Sequence, residues 1–230
     1  MKTCNRFSVS VLGGALALLL ISPLASAQNG PGTAPRIVTW NCSGCHGVKG
    51  NAQQRRFPKL AALDSAYIEQ RIAAFQAAPT PPVDELVYRL VKPAAMKKVN
   101  VGSTPEARAD MVGIAHAATP DEAKASAAWY SAQKPGRGQS AGSALIESGK
   151  ALFANGIPDK GVVACQTCHG TQGEGAAAAP RLGGQNRDYL AIQLWHFRAG
   201  DRQHPTEMTS STTRFDGEQI RAIAAFLESQ

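Results

Sequence analysis

The chain has 230 residues, with 24 Lys and Arg against 17 Asp and Glu, for a formal net charge of +7. That length suits one large or two small domains. The basic excess is modest and builds no basic helix, which argues against nucleic-acid binding, and no stretch beyond the N-terminus is apolar enough to cross a bilayer.

Residues 1–27 read as a cleaved secretory signal. Lys2 and Arg6 precede the apolar run Val9 to Ile21, and Ala25-Ser26-Ala27 supplies a small-residue cleavage site. The run is too short for a comfortable membrane span, so the mature chain is expected to be exported, periplasmic and without a span. Cleavage also removes Cys4, leaving four cysteines.

All four fall in two copies of one pattern, Cys42-Ser43-Gly44-Cys45-His46 and Cys165-Gln166-Thr167-Cys168-His169. C-x-x-C-H is the attachment signature of a c-type haem. On a helix the first Cys, second Cys and His stand at i, i+3 and i+4, on one face. Both thiols can then add to the two vinyl groups of one porphyrin while the imidazole reaches its iron from the same side. Cys42, Cys45, Cys165 and Cys168 are therefore the expected tethers of two covalent haem c groups, with His46 and His169 as proximal ligands. Zinc sites and disulfides use cysteine pairs as well, but these pairs lie 123 residues apart and each carries its own His.

The same landmarks return after each motif. Pro58-Lys59-Leu60 matches Pro180-Arg181-Leu182, Tyr67-Ile68 matches Tyr189-Leu190, and Phe75 matches Phe197, all at an offset of 122. The carbonyls of Pro58 and Pro180 are the expected acceptors of the second imidazole N–H, a contact that fixes ring orientation and ligand strength. Tyr67, Ile68, Ile72 and Phe75 share one helical stripe, as do Tyr189, Leu190, Leu194 and Phe197. The first half then carries an insertion, since Phe75 and Met111 are 25 residues further apart than Phe197 and Met208. It holds Lys92, Lys97 and Lys98 and reads as an extended loop over about 76–110.

Met111 to Trp129 matches Met208 to Phe226, 18 residues apart in both halves. Thr119-Pro120-Asp121-Glu122 reads as the cap and first turn of one closing helix. Asp216-Gly217-Glu218 opens its counterpart, whose stripe is Ile220, Ile223, Ala224 and Leu227. Strand-like alternation is nowhere sustained. The expected fold is all-α, with one haem domain over residues 28–134, a linker over 135–142 and a second haem domain over 143–230. Domains of this size have thin cores, and each haem is expected to supply the missing apolar volume.

A six-coordinate electron-transfer haem needs a second axial ligand, and Met thioether is the usual partner in cytochromes c. Met208 is the candidate of the second half. Met111 holds the same register in the first, with Met96, inside the insertion, as its rival. His116, His196 and His204 are the remaining histidines that could ligate iron instead.

The tandem C-x-x-C-H, P-x-L, Tyr, Phe, Met and closing-helix order resembles the dihaem cytochromes c4 over essentially the whole mature chain. Cys45-His46-Gly47 and Leu182-Gly183-Gly184-Gln185 belong to that likeness. The resemblance implies two class I cytochrome c domains, His/Met ligation, haems packed across a pseudo-two-fold interface, and periplasmic electron transfer, often toward a terminal oxidase.

The expected function is that of a periplasmic dihaem electron carrier without substrate chemistry, serving a terminal oxidase, a bc1-type complex or a periplasmic dehydrogenase. The competing readings are a dihaem redox enzyme of peroxidase or thiosulfate dehydrogenase type, and a fixed electron-transfer subunit. Residues 28–134 hold 13 basic and 8 acidic residues, net +5, whereas residues 135–230 hold 9 of each. Arg55, Arg56, Lys59, Lys92, Lys97 and Lys98 are thus expected to face an acidic redox partner, which complementary charge would steer.

Overall fold

The structure, a computed structural model, describes residues 33–78, 105–176, 179–200, 202 and 206–230. The signal segment, Met96, His204, Lys92, Lys97 and Lys98 lie outside the described residues. A π-helical turn, Val38–Cys42, runs into α1 (Ser43–His46), followed by α2 (Ser65–Gln76), α3 (Pro105–Ala117) and α4 (Pro120–Ser131). The second half contributes α5 (Ser143–Asn155), a 3-10 turn (Pro158–Lys160), α6 (Gln166–His169), α7 (Arg187–Ala199), α8 (Thr206–Thr212) and α9 (Gly217–Glu228). Among the described residues the only β pairing is two isolated bridges. The fold is all-α.

The helix ends are written locally. The Asp64 carboxylate accepts the Tyr67 N–H at the start of α2. Thr119 and Glu122 form a reciprocal capping box at α4, with Pro120 at the first turn, and Asp216 and Gln219 do the same at α9. One boundary differs from the sequence reading. Pro105 to Asp110, the expected end of an extended loop, belong to α3. That helix runs on through the Met111 register, which a search for a Pro-rich loop does not reveal.

The described residues from Ala34 onward form one compact unit with two apolar centres. In the first, Ile37 and Val38 pack with Leu63, Ile68, Ala127 and Tyr130. In the second, Phe153 on α5 meets Phe226 on α9, ring centroids 5.4 Å apart, beside Leu190, Ile220, Ile223 and Leu227. Gly149 lets α5 and α9 approach this closely, because a Cβ there would stand 2.0 Å from the Ala222 carbonyl oxygen. Phe153, Ile220 and Leu227 are almost wholly buried. Each such side chain contributes roughly 1.5–3 kcal/mol of burial.

The backbone repeats the pseudo-symmetry of the sequence. Gly50 O accepts Leu60 N–H and Ala61 N–H, as Gly173 O accepts Leu182 N–H and Gly183 N–H. Ala62 N–H then reaches Tyr130 O on α4, and Gly184 N–H reaches Leu227 O on α9. The same turn ties each Pro-x-Leu segment to the closing helix of its half.

Candidate haem sites

Each C-x-x-C-H motif folds as one helical turn, which brings its residues to one side as the spacing requires. Both turns are stopped by a glycine at positive φ, Gly47 at +75° and Gly170 at +78°, a conformation that costs glycine little. His46 and His169 are buried, only 5% and 6% exposed. His46 Nδ1 donates to Pro58 O at 2.9 Å and His169 Nδ1 to Pro180 O at 2.9 Å. The carbonyl can only accept, so Nδ1 carries the proton and Nε2 keeps its lone pair. Burial lowers both histidine pKa values, against the opposing pull of the proline carbonyls. A neutral imidazole with a free Nε2 is the form that binds a metal.

The thiols suit covalent capture. Cys42, Cys45, Cys165 and Cys168 are free of disulfides. Burial raises Cys42 and Cys165 to about 11, and it raises Cys45 also. The thiolate is the form that exchanges disulfides, so Cys42, Cys45 and Cys165, held protonated, are slow to oxidise. Among the described residues no three His, Cys, Asp or Glu side chains gather as a metal-binding cluster. The zinc reading of the cysteines therefore finds no assembled ligand set.

Met111 sits in the middle of α3 and Met208 in the first turn of α8, each partly buried. His116 is exposed on α3, and its Nε2 donates to Ala78 O at 3.0 Å. His196 lies in α7. Among the described residues two buried polar atoms lack a partner, Arg181 Nε and Arg202 Nε. Arg202 also donates to Tyr67 OH at 3.1 Å and to Gln193 Oε1. Among the described residues Arg202 has only tyrosine and amide partners and no carboxylate, and a largely buried cation without a counter-charge is costly. Buried N–H groups awaiting an anion, free thiols and a neutral imidazole together fit a haem, which carries two propionates.

The contacts between the halves were not foreseen. Arg55 reaches across to Glu228 with both oxygens 2.8 Å away, and to Asp188 at 3.1 Å. Lys59 Nζ donates to the carbonyls of Gly136, Arg137 and Gly184. This corrects the expected docking face, because Arg55 and Lys59 serve the interface between the halves rather than a partner. Arg56 is exposed, its guanidinium 4.8 Å over the Phe57 ring. The interface partners lie 77 to 173 residues apart in sequence, beyond any local pattern. The one available signal was Glu228, a carboxylate closing an apolar helix.

An all-α chain with two such centres is a dihaem c-type cytochrome. The cytochrome c family model matches residues 146–230. Cytochrome c4 of Stutzerimonas stutzeri is 31% identical over 192 residues, covering 81% of this chain and 83% of its own length. The crystal structure of reduced recombinant cytochrome c4 from Pseudomonas stutzeri superposes with a TM-score of 0.69 at 30% identity, over 86% of this chain and 98% of that one. A thiosulfate dehydrogenase electron acceptor of Stutzerimonas stutzeri is 37% identical over 87 residues, covering 37% of this chain and 40% of its own length. The chain belongs to the cytochrome c4 family. It carries two covalent haem c groups and works as an electron carrier with redox protein partners. Among the described residues no helix is long and apolar enough to cross a membrane.

Proposed function

We propose that the protein is a periplasmic two-haem electron shuttle with both irons coordinatively saturated. Cys42 and Cys45 tether the first haem and Cys165 and Cys168 the second. His46 and Met111 ligate one iron, His169 and Met208 the other. The haem domains span residues 28–134 and 143–230, joined by 135–142, after removal of a signal over 1–27. Haem iron supplies one-electron chemistry between ferric and ferrous states. The chain's own residues keep that step small. The Pro58 and Pro180 carbonyls hold the imidazoles in one orientation, and the buried Nε–H groups of Arg181 and Arg202 take up propionate charge.

The observation that carries this reading is the matched pair of Nδ1 contacts, each leaving Nε2 as the free donor of a buried neutral histidine. A six-coordinate iron offers no open position to a substrate, so the protein is a carrier and not a peroxidase or thiosulfate-oxidising enzyme. Its electron acceptor is a terminal oxidase and its donor a bc1-type complex or a periplasmic dehydrogenase. The likeness to a thiosulfate dehydrogenase electron acceptor supports the dehydrogenase as donor. Arg56 and the lysines of the insertion are left to meet an acidic partner surface.

Stopped-flow spectroscopy of the reduced holoprotein with carbon monoxide and with peroxide tests saturation. No ligand binding and no turnover are expected, and rapid binding at either haem contradicts the reading. Electron-transfer rates to an acidic partner are expected to fall as ionic strength rises.

A further inference from the structure

The haem site of the first half is completed by a side chain of the second. The Pro58 carbonyl accepts His46 Nδ1–H at 2.9 Å. The N–H of that same peptide group, on Lys59, donates to Gln185 Oε1 at 2.8 Å. Gln185 Nε2 returns a bond to Lys59 O at 2.9 Å, and Asn186 N–H also donates to Gln185 Oε1, at 2.9 Å. Two N–H donors on one side and a carbonyl on the other leave a single assignment of the amide. Gln185 is 6% exposed, so the chain of bonds lies where water screens little.

Hydrogen bonds in series polarise one another, on the order of 10–30% per bond. A peptide whose N–H is engaged is a stronger acceptor at its carbonyl. The Pro58 oxygen therefore draws more strongly on the His46 proton, which leaves Nε2 more electron-rich. An electron-rich imidazole favours ferric over ferrous iron and lowers the potential. Among the described residues the second half shows no counterpart of this device. The residue 122 positions before Gln185 is Leu63, whose side chain neither donates nor accepts.

We propose that Gln185 is a positioning residue for the first haem, so that the second half holds the first haem's potential down through the Pro58–Lys59 peptide group. The inference rests on His46 as an axial ligand, as given above. The test uses the full-length holoprotein and a redox titration in which NMR assigns each wave to its haem. Replacing Gln185→Leu is expected to raise the first haem's midpoint, by a three- to tenfold change in its one-electron constant, tenfold being about 59 mV. The second haem stays put, and the His46 Nδ1 proton exchanges faster with solvent. Gln185→Glu, which keeps an acceptor, is expected to hold the first midpoint at or below that of the parent. Arg55→Gln, which loosens the interface without touching this peptide, is expected to leave it unshifted.

No shift in Gln185→Leu, an equal shift at both haems, or the same shift in Arg55→Gln overturns the proposal. Should the Leu variant fail to mature, a raised midpoint in Gln185→Glu does so alone. Two low-spin haems in the parent protein test the ligand reading separately, before any variant is compared.

Discussion

Removing the Arg55 guanidinium (Arg55→Ala) should loosen the junction of the two halves more than any other exposed-to-buried change. Glu228 is 1% exposed and receives both Arg55 bonds at 2.8 Å. What remains to it among the described residues is Arg187, whose Nε is 3.7 Å away and whose backbone N–H is at 3.3 Å, and the more distant charge of Lys59. Breaking a fully buried pair costs about 3–5 kcal/mol because one charge is stranded. The Arg55 side chain is 24% exposed, and water screening brings the expectation to about 2–3 kcal/mol. In a chain of this size that is a fall in Tm of roughly 5–10 °C. Urea unfolding of the holoprotein, followed by circular dichroism, measures the same loss as a lower midpoint at unchanged slope. The double change Arg55→Met/Glu228→Leu removes both charges and is expected to recover most of it. A single variant within about 0.5 kcal/mol of the parent, or a double variant no better than the single, refutes the reasoning.

Other outcomes follow from single positions. Gly149→Ala drives a Cβ to 2.0 Å from Ala222 O, and despite better helix propensity it should cost about 1–3 kcal/mol in urea unfolding. Ala62 holds φ +58° where the second half has Gly184, so Ala62→Gly should stabilise by about 1 kcal/mol in the same assay. Thr119→Ala removes a cap worth about 1 kcal/mol. The backbone and hydroxyl of Thr119 hold the Glu122 carboxyl below its usual pKa, so that contribution is present above the unfolded value and is lost as acidification protonates Glu122. The gap between parent and Thr119→Ala should therefore narrow with acid, as urea midpoints at several pH values would register. Met111→His should abolish the weak red sulfur-to-iron(III) band of the first haem and lower its potential, whereas Met96→Leu should leave the spectrum unchanged.

The sequence made the helices and the two haem motifs legible because both depend on local spacing. C-x-x-C-H needs one helical turn, and Thr119–Glu122 and Asp216–Glu218 announce their helices within four residues. The repeat of Pro-x-Leu, Tyr and Phe at a fixed offset likewise exposed two halves of one design. The interface was hidden for the opposite reason. Arg55 with Glu228, and Lys59 with Gln185, meet only after both halves have folded, so Arg55 and Lys59 read as surface charge. The start of α3 was obscured because Pro105 opens a helix at its first turn as readily as it ends a loop.

Saturation of both irons by His and Met is the claim on which the rest depends. Intact-mass analysis and ferric absorption spectra of protein matured in a periplasm test it most directly. The account predicts two covalent haems per chain, both low-spin, with the red band of thioether-to-iron(III) coordination at full intensity for two sites. One haem per chain, or a high-spin fraction that persists in the resting protein, would contradict it.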